Sequence, residues 1–193
     1  MNYPNPFIPQ RADPYVVKGP DGKYYFTASY PAFMNVDAGY DRIILRKSET
    51  VIGLAEAEEI TIWKAHNEGV MSKHIWAPEI HYIAGKWYVF FAAGEKENVW
   101  NIRPFVLMCK GQDPINDEWV EMGKMQASEG DDRSFTEFSL DMTYFENNGN
   151  TYIEGWNFEK GITVSDENLD KAVQSADVIL YGFGGSSVRD FKS

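Results

Sequence analysis

The sequence has few of the residues that cross-linked and nucleic-acid-binding proteins use. It contains one cysteine in 193 residues, Cys109, so no disulfide can form within the chain. Cys109 lies in an apolar run and is most simply a buried core residue. Lys and Arg total 18 against 29 Asp and Glu, which gives a net charge of −11. This charge disfavours nucleic acids and anionic membranes as partners, and it is compatible with plain solubility or with a neutral polysaccharide ligand.

Long hydrophobic runs are also missing. No stretch of about 18 apolar residues occurs, so no membrane-spanning helix is predicted. The first residues, Met1–Pro6, lack a basic segment followed by an apolar run, so the sequence as written has no signal peptide. We therefore expect no membrane partner and a cytoplasmic location as written, with secretion as the alternative if a leader has been removed. The three histidines, His66, His74 and His81, show no metal-ligand spacing, so neither a metal nor another cofactor is predicted.

Aromatic residues, in contrast, are abundant at 15% of the chain. Aromatic rings pack between β-sheets, and their faces also stack on sugar rings. Packing is the simpler explanation for most of them, and sugar binding stays open for the rest.

Three segments share one pattern. In each, an acidic residue precedes four mostly apolar residues, a glycine turn and a second strand with aromatic residues. The acids are Asp13, Glu79 and Asp141, which are 66 and then 62 residues apart. The turns are Asp21-Gly22, Ala84-Gly85 and Asn148-Gly149. A repeat of this length, built from short strands, is typical of the blades of a β-propeller.

The pattern predicts an all-β protein of about three four-stranded antiparallel blades. The predicted blades cover about 13–64, 75–122 and 138–181, followed by an irregular tail over 182–193. Within the first blade, Asp41–Lys47 alternates as a strand, with Ile43 and Leu45 on one side and Ile44 on the other. A helical turn is predicted over Leu54–Glu59. Further predicted strands are Thr61–Trp63, Phe105–Lys110, Trp119–Met122, 161–165 and 177–181, with a helix start in 165–176.

If the three acids begin equivalent inner strands, their carboxylates converge on one central channel. Paired carboxylates in one pocket are the usual means of cutting glycosidic bonds. Pro14 biases the backbone of Asp13 toward an extended conformation, and Asp13 could equally cap a strand entry. Trp76 precedes Glu79 in a Trp-x-Pro-acid arrangement, which puts a flat ring beside a carboxylate. Asp141 lies between apolar neighbours, where burying an acid is costly without a purpose.

These motifs together resemble glycoside hydrolase family 43. The motifs are Arg-Ala-Asp-Pro at 11–14, Ile-Trp-Ala-Pro-Glu at 75–79, Phe-Ser-Leu-Asp at 138–141 and Gly-Lys-Trp-Tyr-Val-Phe-Phe-Ala-Ala at 85–93. The resemblance is strongest to the α-L-arabinofuranosidase branch, which includes exo-acting enzymes on 1,5-linked arabinan. It implies a five-bladed β-propeller and inversion at the anomeric carbon. It assigns Asp13 as the general base and Asp141 as the carboxylate that raises the pKa of the general acid. It places Trp76 and Glu79 in the sugar subsite.

The sequence departs from this family at the general acid, which the resemblance expects as a glutamate in a Glu-Gly-Pro motif of a fourth blade. No Glu-Gly-Pro occurs, and Glu129-Gly130 is followed by Asp131. The repeat places that acid near position 205, so about three blades are represented here. Three blades leave unpaired faces, and we expect association into a homo-oligomer that completes the ring.

Three functions follow from this pattern. The first is hydrolysis of terminal α-L-arabinofuranosyl residues of arabinan or arabinoxylan, impaired if no general acid is supplied. The second is a non-catalytic carbohydrate-binding or self-assembling propeller fragment. The third keeps the chemistry and changes the sugar to a β-xyloside. In each case the partner is an oligosaccharide or polysaccharide.

Overall fold

The computed structural model describes residues 5–32, 39–126, 135, 137–147 and 150–157. In this part of the chain all regular structure is β-strand except one 3₁₀ turn, Ile52–Ala55. None of its helices is long and apolar enough to cross a membrane. The predicted outer strands 161–165 and 177–181, the helix start in 165–176 and the tail 182–193 lie outside the described residues.

The strands form three antiparallel sheets, each following chain order. The first sheet contains β1 (Ala12–Lys18), β2 (Tyr24–Ser29), β3 (Arg42–Ser48) and β4 (Ile60–Lys64). The second contains β5 (Lys73–Ile83), β6 (Lys86–Gly94), β7 (Arg103–Cys109) and β8 (Trp119–Lys124). The third contains β9 (Ser139–Asn147) and β10 (Asn150–Asn157). Sheets with this meander order are the blades of a propeller, so the predicted all-β fold class is confirmed.

The first strand of each sheet lies beside the first strand of the next. β5 contacts β1 and β2 on one side and β9 on the other. The predicted site residues belong to these three neighbouring strands.

The main core fills the space between the first two sheets. It includes Tyr25, Ile43, Leu45, Ile75, Trp87, Phe91, Leu107 and Cys109, each at most 1% exposed. Ile44 faces away from this core and packs with Phe26 and Leu54 in a second cluster. The predicted alternation in β3, with Ile43 and Leu45 opposite Ile44, is therefore confirmed, as is burial of Cys109.

Glycine turns set the hairpins at the start of the first two blades. Ala84 and Gly85 connect β5 to β6 as a two-residue loop, and both have positive φ (48° and 84°), as a type I′ turn requires. Gly19 follows β1, where an added Cβ would lie 2.6 Å from Tyr25 and 2.9 Å from Trp87. Only glycine lets the first hairpin approach the second blade this closely.

Strands are present at all four positions predicted inside the first two blades, with bounds that differ by one or two residues. The helical turn predicted over Leu54–Glu59 is a 3₁₀ turn that begins and ends earlier, at Ile52–Ala55. The third turn, Asn148-Gly149, lies outside the described residues.

Candidate active site

A β-bulge interrupts the first strand of each sheet at an equivalent place. The pairing register shifts between Ala12 and Tyr15 in β1, between Trp76 and Glu79 in β5, and opposite Glu154–Trp156 in β9. One residue at each bulge has left-handed φ: 48° at Asp13, 43° at Ala77 and 55° at Asp141. The expectation that Pro14 keeps Asp13 extended is wrong. The bulge in the pairing of β1 with β2 sets the backbone of Asp13 and overrides the local preference of a residue before proline.

The bulges also correct the sequence repeat. Asp13, Ala77 and Asp141 hold equivalent positions in the ladder, at a constant spacing of 64 residues. Glu79 lies two residues further along its strand, so the three acids do not begin the three strands equivalently. Glu79 pairs with Phe90 and Trp76 pairs with Ala92, which are two residues apart on β6, so Glu79 and Trp76 project to the same side of the sheet. The three acids therefore do not share a register, although they lie on three neighbouring strands.

The acids of the first two blades act electrostatically on Asp141 of the third. Its pKa is raised from the ordinary 3.8 to about 6, first by burial and then by the negative charges of Asp13 and Glu79. Asp141 keeps an exposed edge, so it is both solvent-accessible and enclosed enough to be desolvated. We call Asp13, Glu79 and Asp141 the carboxylate cluster. The convergence of these acids on one channel stays a prediction, which the charge effects on Asp141 support.

Asp13 is held by a hydrogen bond from the next strand of its own blade. The hydroxyl of Ser29 donates to Asp13 Oδ2 over 2.8 Å. The backbone N–H of Ala77, at the bulge of the second blade, donates to Ser29 Oγ, also over 2.8 Å. Ser29 is fully buried and was missed by sequence analysis, because nothing in Thr-Ala-Ser at the end of a strand points to an acid 16 residues earlier.

Glu79 is held by a histidine. His81 Nε2 lies 3.0 Å from Glu79 Oε2, and its Nδ1 lies 3.3 Å from the Tyr15 hydroxyl. His81 is 4% exposed and packs against the rings of Tyr15, Phe90 and Tyr144. Burial and the charge of Glu79 raise the pKa of Tyr15 well above its usual value, so Tyr15 stays a neutral donor. His81 thus orients Glu79, and its i+2 spacing from Glu79 was the available signal.

Trp76 lies in a group of aromatic rings at the edge of β5. Its ring centroid is 4.4 Å from that of His74, 5.9 Å from Tyr40 and 6.3 Å from Trp100. Trp100 is 61% exposed, whereas Trp76 is half-buried. The ring of Trp76, which lies three residues before Glu79, is therefore held in place by these neighbouring rings.

Other features of the described residues do not compete with this cluster. No group of three or more His, Cys, Asp or Glu side chains that could hold a metal ion occurs within the described ranges. A cavity of about 640 Å³ lies beside β3 and the 113–116 turn. It is lined by side chains of both charges, such as Lys23, Lys47 and Glu49, and by none of the four predicted site residues.

Clustered carboxylates can do acid and base work together. A carboxylate that stays ionised accepts a proton from water, and one with a raised pKa adds negative charge only as the pH rises. The half-buried indole of Trp76, three residues before Glu79, supplies an apolar face of the kind that packs on sugar rings.

Comparison with known proteins agrees with this description. The sequence model of the family described as glycosyl hydrolases family 43 matches residues 3–180. An extracellular exo-alpha-(1->5)-L-arabinofuranosidase of Streptomyces chartreusis is 46% identical over 151 residues, covering 78% of this chain and 42% of that protein. The protein of the same name in Streptomyces avermitilis is 47% identical over 149 residues, covering 77% of this chain and 28% of that protein.

The same likeness is found among solved structures. The α-L-arabinofuranosidase from Lactobacillus brevis superposes with a TM-score of 0.67 at 38% identity, over 83% of this chain and 49% of that one. The chain therefore spans less than half the length of each of these three relatives.

Proposed function

We propose a catalytic function from one premise: the chain belongs to glycosyl hydrolases family 43. The proposed reaction is hydrolysis of terminal α-L-arabinofuranosyl residues of arabinan or arabinoxylan, with inversion at the anomeric carbon. The observation that carries the proposal is the carboxylate cluster, in which the charges of Asp13 and Glu79 both act on Asp141. The relatives named as arabinofuranosidases support the choice of sugar.

In the proposed mechanism, Asp13 acts as the general base. A water molecule gives one proton to the Asp13 carboxylate while its oxygen forms a bond to the anomeric carbon. The glycosidic C–O bond breaks on the opposite face, and its electron pair leaves with the aglycone oxygen. Inverting enzymes leave roughly 6.5–9.5 Å between base and acid to admit this water.

Asp141 has an electrostatic role in this scheme. Its negative charge disfavours ionisation of a neighbouring acid and so keeps that acid protonated near neutral pH. The family's general acid, a glutamate in Glu-Gly-Pro, does not occur among these 193 residues. A substrate whose aglycone departs without a proton therefore tests the residues that are present.

Trp76 and Glu79 would bind the sugar. Trp76 offers a ring face fixed by His74 and Tyr40. Glu79, oriented by His81, offers a carboxylate oxygen that can accept a hydrogen bond from a sugar hydroxyl. These two contacts constrain the furanose ring on two sides.

A second candidate function is carbohydrate binding without turnover. The exposed Trp100 next to Trp76 favours it, because ring faces open to solvent can stack on sugars. Both functions place the sugar at the same residues, so they differ only in whether the glycosidic bond breaks.

The deciding experiment measures this chain on 4-nitrophenyl α-L-arabinofuranoside, which releases a good leaving group. We expect hydrolysis with β-arabinofuranose as the first product by proton NMR. Asp13→Asn should lower kcat by about 100-fold or more, as loss of a general base does. Glu58→Gln, which removes an exposed carboxylate of the same blade, is the matched control.

Each other result has a defined meaning. Normal turnover by Asp13→Asn would refute the assigned base. Quenching of tryptophan fluorescence by arabino-oligosaccharides without hydrolysis would favour the binding function. Faster hydrolysis of 4-nitrophenyl β-D-xylopyranoside would change the sugar to a xyloside.

A further inference from the structure

The buried hydroxyl of Ser29 connects two blades at the proposed base. It lies at the end of β2, opposite Ala12, and is fully buried. Its oxygen is 2.8 Å from the Ala77 nitrogen in the second blade and 2.8 Å from Asp13 Oδ2 in the first. It is thus the link between the bulge of β5 and the carboxylate at the bulge of β1.

The direction of both hydrogen bonds follows from the atoms involved. A backbone N–H can only donate, so Ser29 Oγ accepts from Ala77. The serine hydroxyl has a single proton, and that proton remains free for a second partner. An ionised carboxylate only accepts, so the proton is donated to Asp13 Oδ2. The chain of donors therefore runs from Ala77 through Ser29 to Asp13.

This arrangement leaves the two oxygens of Asp13 unequal. Oδ2 is bonded to Ser29, whereas Oδ1 makes no hydrogen bond to any described residue. Asp13 is otherwise exposed, at a residue with left-handed φ, so its side chain has little packing to hold it. Positioning groups of this kind control the geometry of the reacting atoms.

We infer that Ser29 is a positioning residue for the proposed hydrolysis: it fixes Asp13 Oδ2 so that Oδ1 takes the proton from water. This inference rests on the proposed function, in which Asp13 is the general base. The equivalent position of the second blade is Ala92, which has no hydroxyl. The hydrogen bonds of Ser29 are therefore a feature of the first blade, which carries the proposed base, and the second blade has no counterpart.

The chain contains a matched control two residues away. Thr27 lies on the same strand and the same side as Ser29, and is also fully buried. Its hydroxyl has no hydrogen-bond partner among the described residues. Thr27→Val therefore removes a buried hydroxyl that connects nothing, whereas Ser29→Ala removes one that connects two blades.

The experiment compares Ser29→Ala, Ser29→Thr and Thr27→Val on 4-nitrophenyl α-L-arabinofuranoside, with the Ala77 amide followed by NMR. We expect Ser29→Ala to lower kcat on the order of 10- to 100-fold with KM unchanged, because the base is misplaced and the sugar contacts are kept. The Ala77 amide proton should shift and exchange faster in this variant. Ser29→Thr should restore both readouts, and Thr27→Val should change neither.

The outcomes separate this inference from the proposed function. An active wild type whose Ser29→Ala variant matches Thr27→Val in kcat would overturn the role of Ser29 alone. An unchanged Ala77 amide in Ser29→Ala would overturn the link itself. An inactive wild type would overturn the proposed function and the role of Ser29 together. Ser29→Cys, which keeps the shape of the side chain in a slightly larger group with a weaker donor, should give an intermediate kcat if Ser29→Ala does not fold.

Discussion

Replacing Asp141 by asparagine should stabilise the fold at neutral pH although it removes a proposed catalytic charge. The pKa of Asp141 is raised from 3.8 to about 6 by burial and by the charges of Asp13 and Glu79. A carboxyl whose pKa is higher in the folded state favours folding while it is protonated. This contribution to stability is fully present when the pH is below the pKa of the carboxyl in the unfolded state. It is lost as the pH rises through the pKa in the folded state. The contribution of Asp141 to stability is therefore lost between pH 3.8 and about 6, and Asp141→Asn removes this dependence.

The size of this effect follows from the shift. Each pKa unit corresponds to about 1.4 kcal/mol, so the shift sets an upper limit of about 3 kcal/mol for a fully enclosed group. Because Asp141 keeps an exposed edge, solvent screening reduces the expected gain to about 1 kcal/mol. The gain should be close to zero at about pH 4 and complete at about pH 7.5.

Urea denaturation of wild type and Asp141→Asn at these two pH values measures this difference. Glu58→Gln is the control, since it removes one exposed negative charge from a chain of net charge −11 and leaves the carboxylate cluster unchanged. A gain by Asp141→Asn that is the same at both pH values, or no larger than that of Glu58→Gln, would refute the electrostatic account of the carboxylate cluster.

Two further predictions concern the same pocket. The pKa of Asp141, measured by carboxyl NMR titration, should fall in Asp13→Asn and fall less in Glu79→Gln, because the Asp13 charge is the larger of the two contributions; the reverse order would contradict the geometry of the cluster. Trp76→Ala should raise KM for the aryl arabinofuranoside several-fold with a smaller change in kcat, since a stacked ring mainly binds the ground state; an unchanged KM would remove Trp76 from the sugar subsite.

The fold was largely predictable because its signals are local. Alternation at Ile43, Ile44 and Leu45 assigns each residue to one of two clusters, and a glycine turn marks the hairpin at Gly85. Such signals depend on neighbours within a few residues, so the sequence displays them directly.

The register of the repeat was not predicted correctly, although a signal for it exists. The acids are spaced unevenly, by 66 and 62 residues, whereas the bulges are spaced evenly by 64. Pro14 and Pro78 also differ by 64 and hold equivalent places. Aligning the prolines would have given the observed register. Matching residues by charge gave the wrong one, because a bulge shifts the pairing by one residue without leaving a charge pattern.

The supporting residues were beyond local reasoning for another reason. Ser29 bonds a residue 48 positions away, and His81 bonds one 66 positions away. Serine and histidine are ordinary at strand positions, and only the packing of one blade on the next gives them these partners. A single sequence contains no record of that packing, so tertiary contacts decide which polar residues serve the site.

The offset of Glu79 has a consequence for the shape of the pocket. Two residues along a strand correspond to about 6.6 Å, so Glu79 lies roughly that far along β5 from the bulge at Ala77. At the bulge itself, the second blade presents a methyl group where the first and third blades present Asp13 and Asp141. A third carboxylate at this position would add another negative charge near Asp141, whose pKa is already raised by the charges of Asp13 and Glu79. With alanine there, the second blade adds no charge at this level, and its own acid, Glu79, lies within 3.0 Å of His81 Nε2.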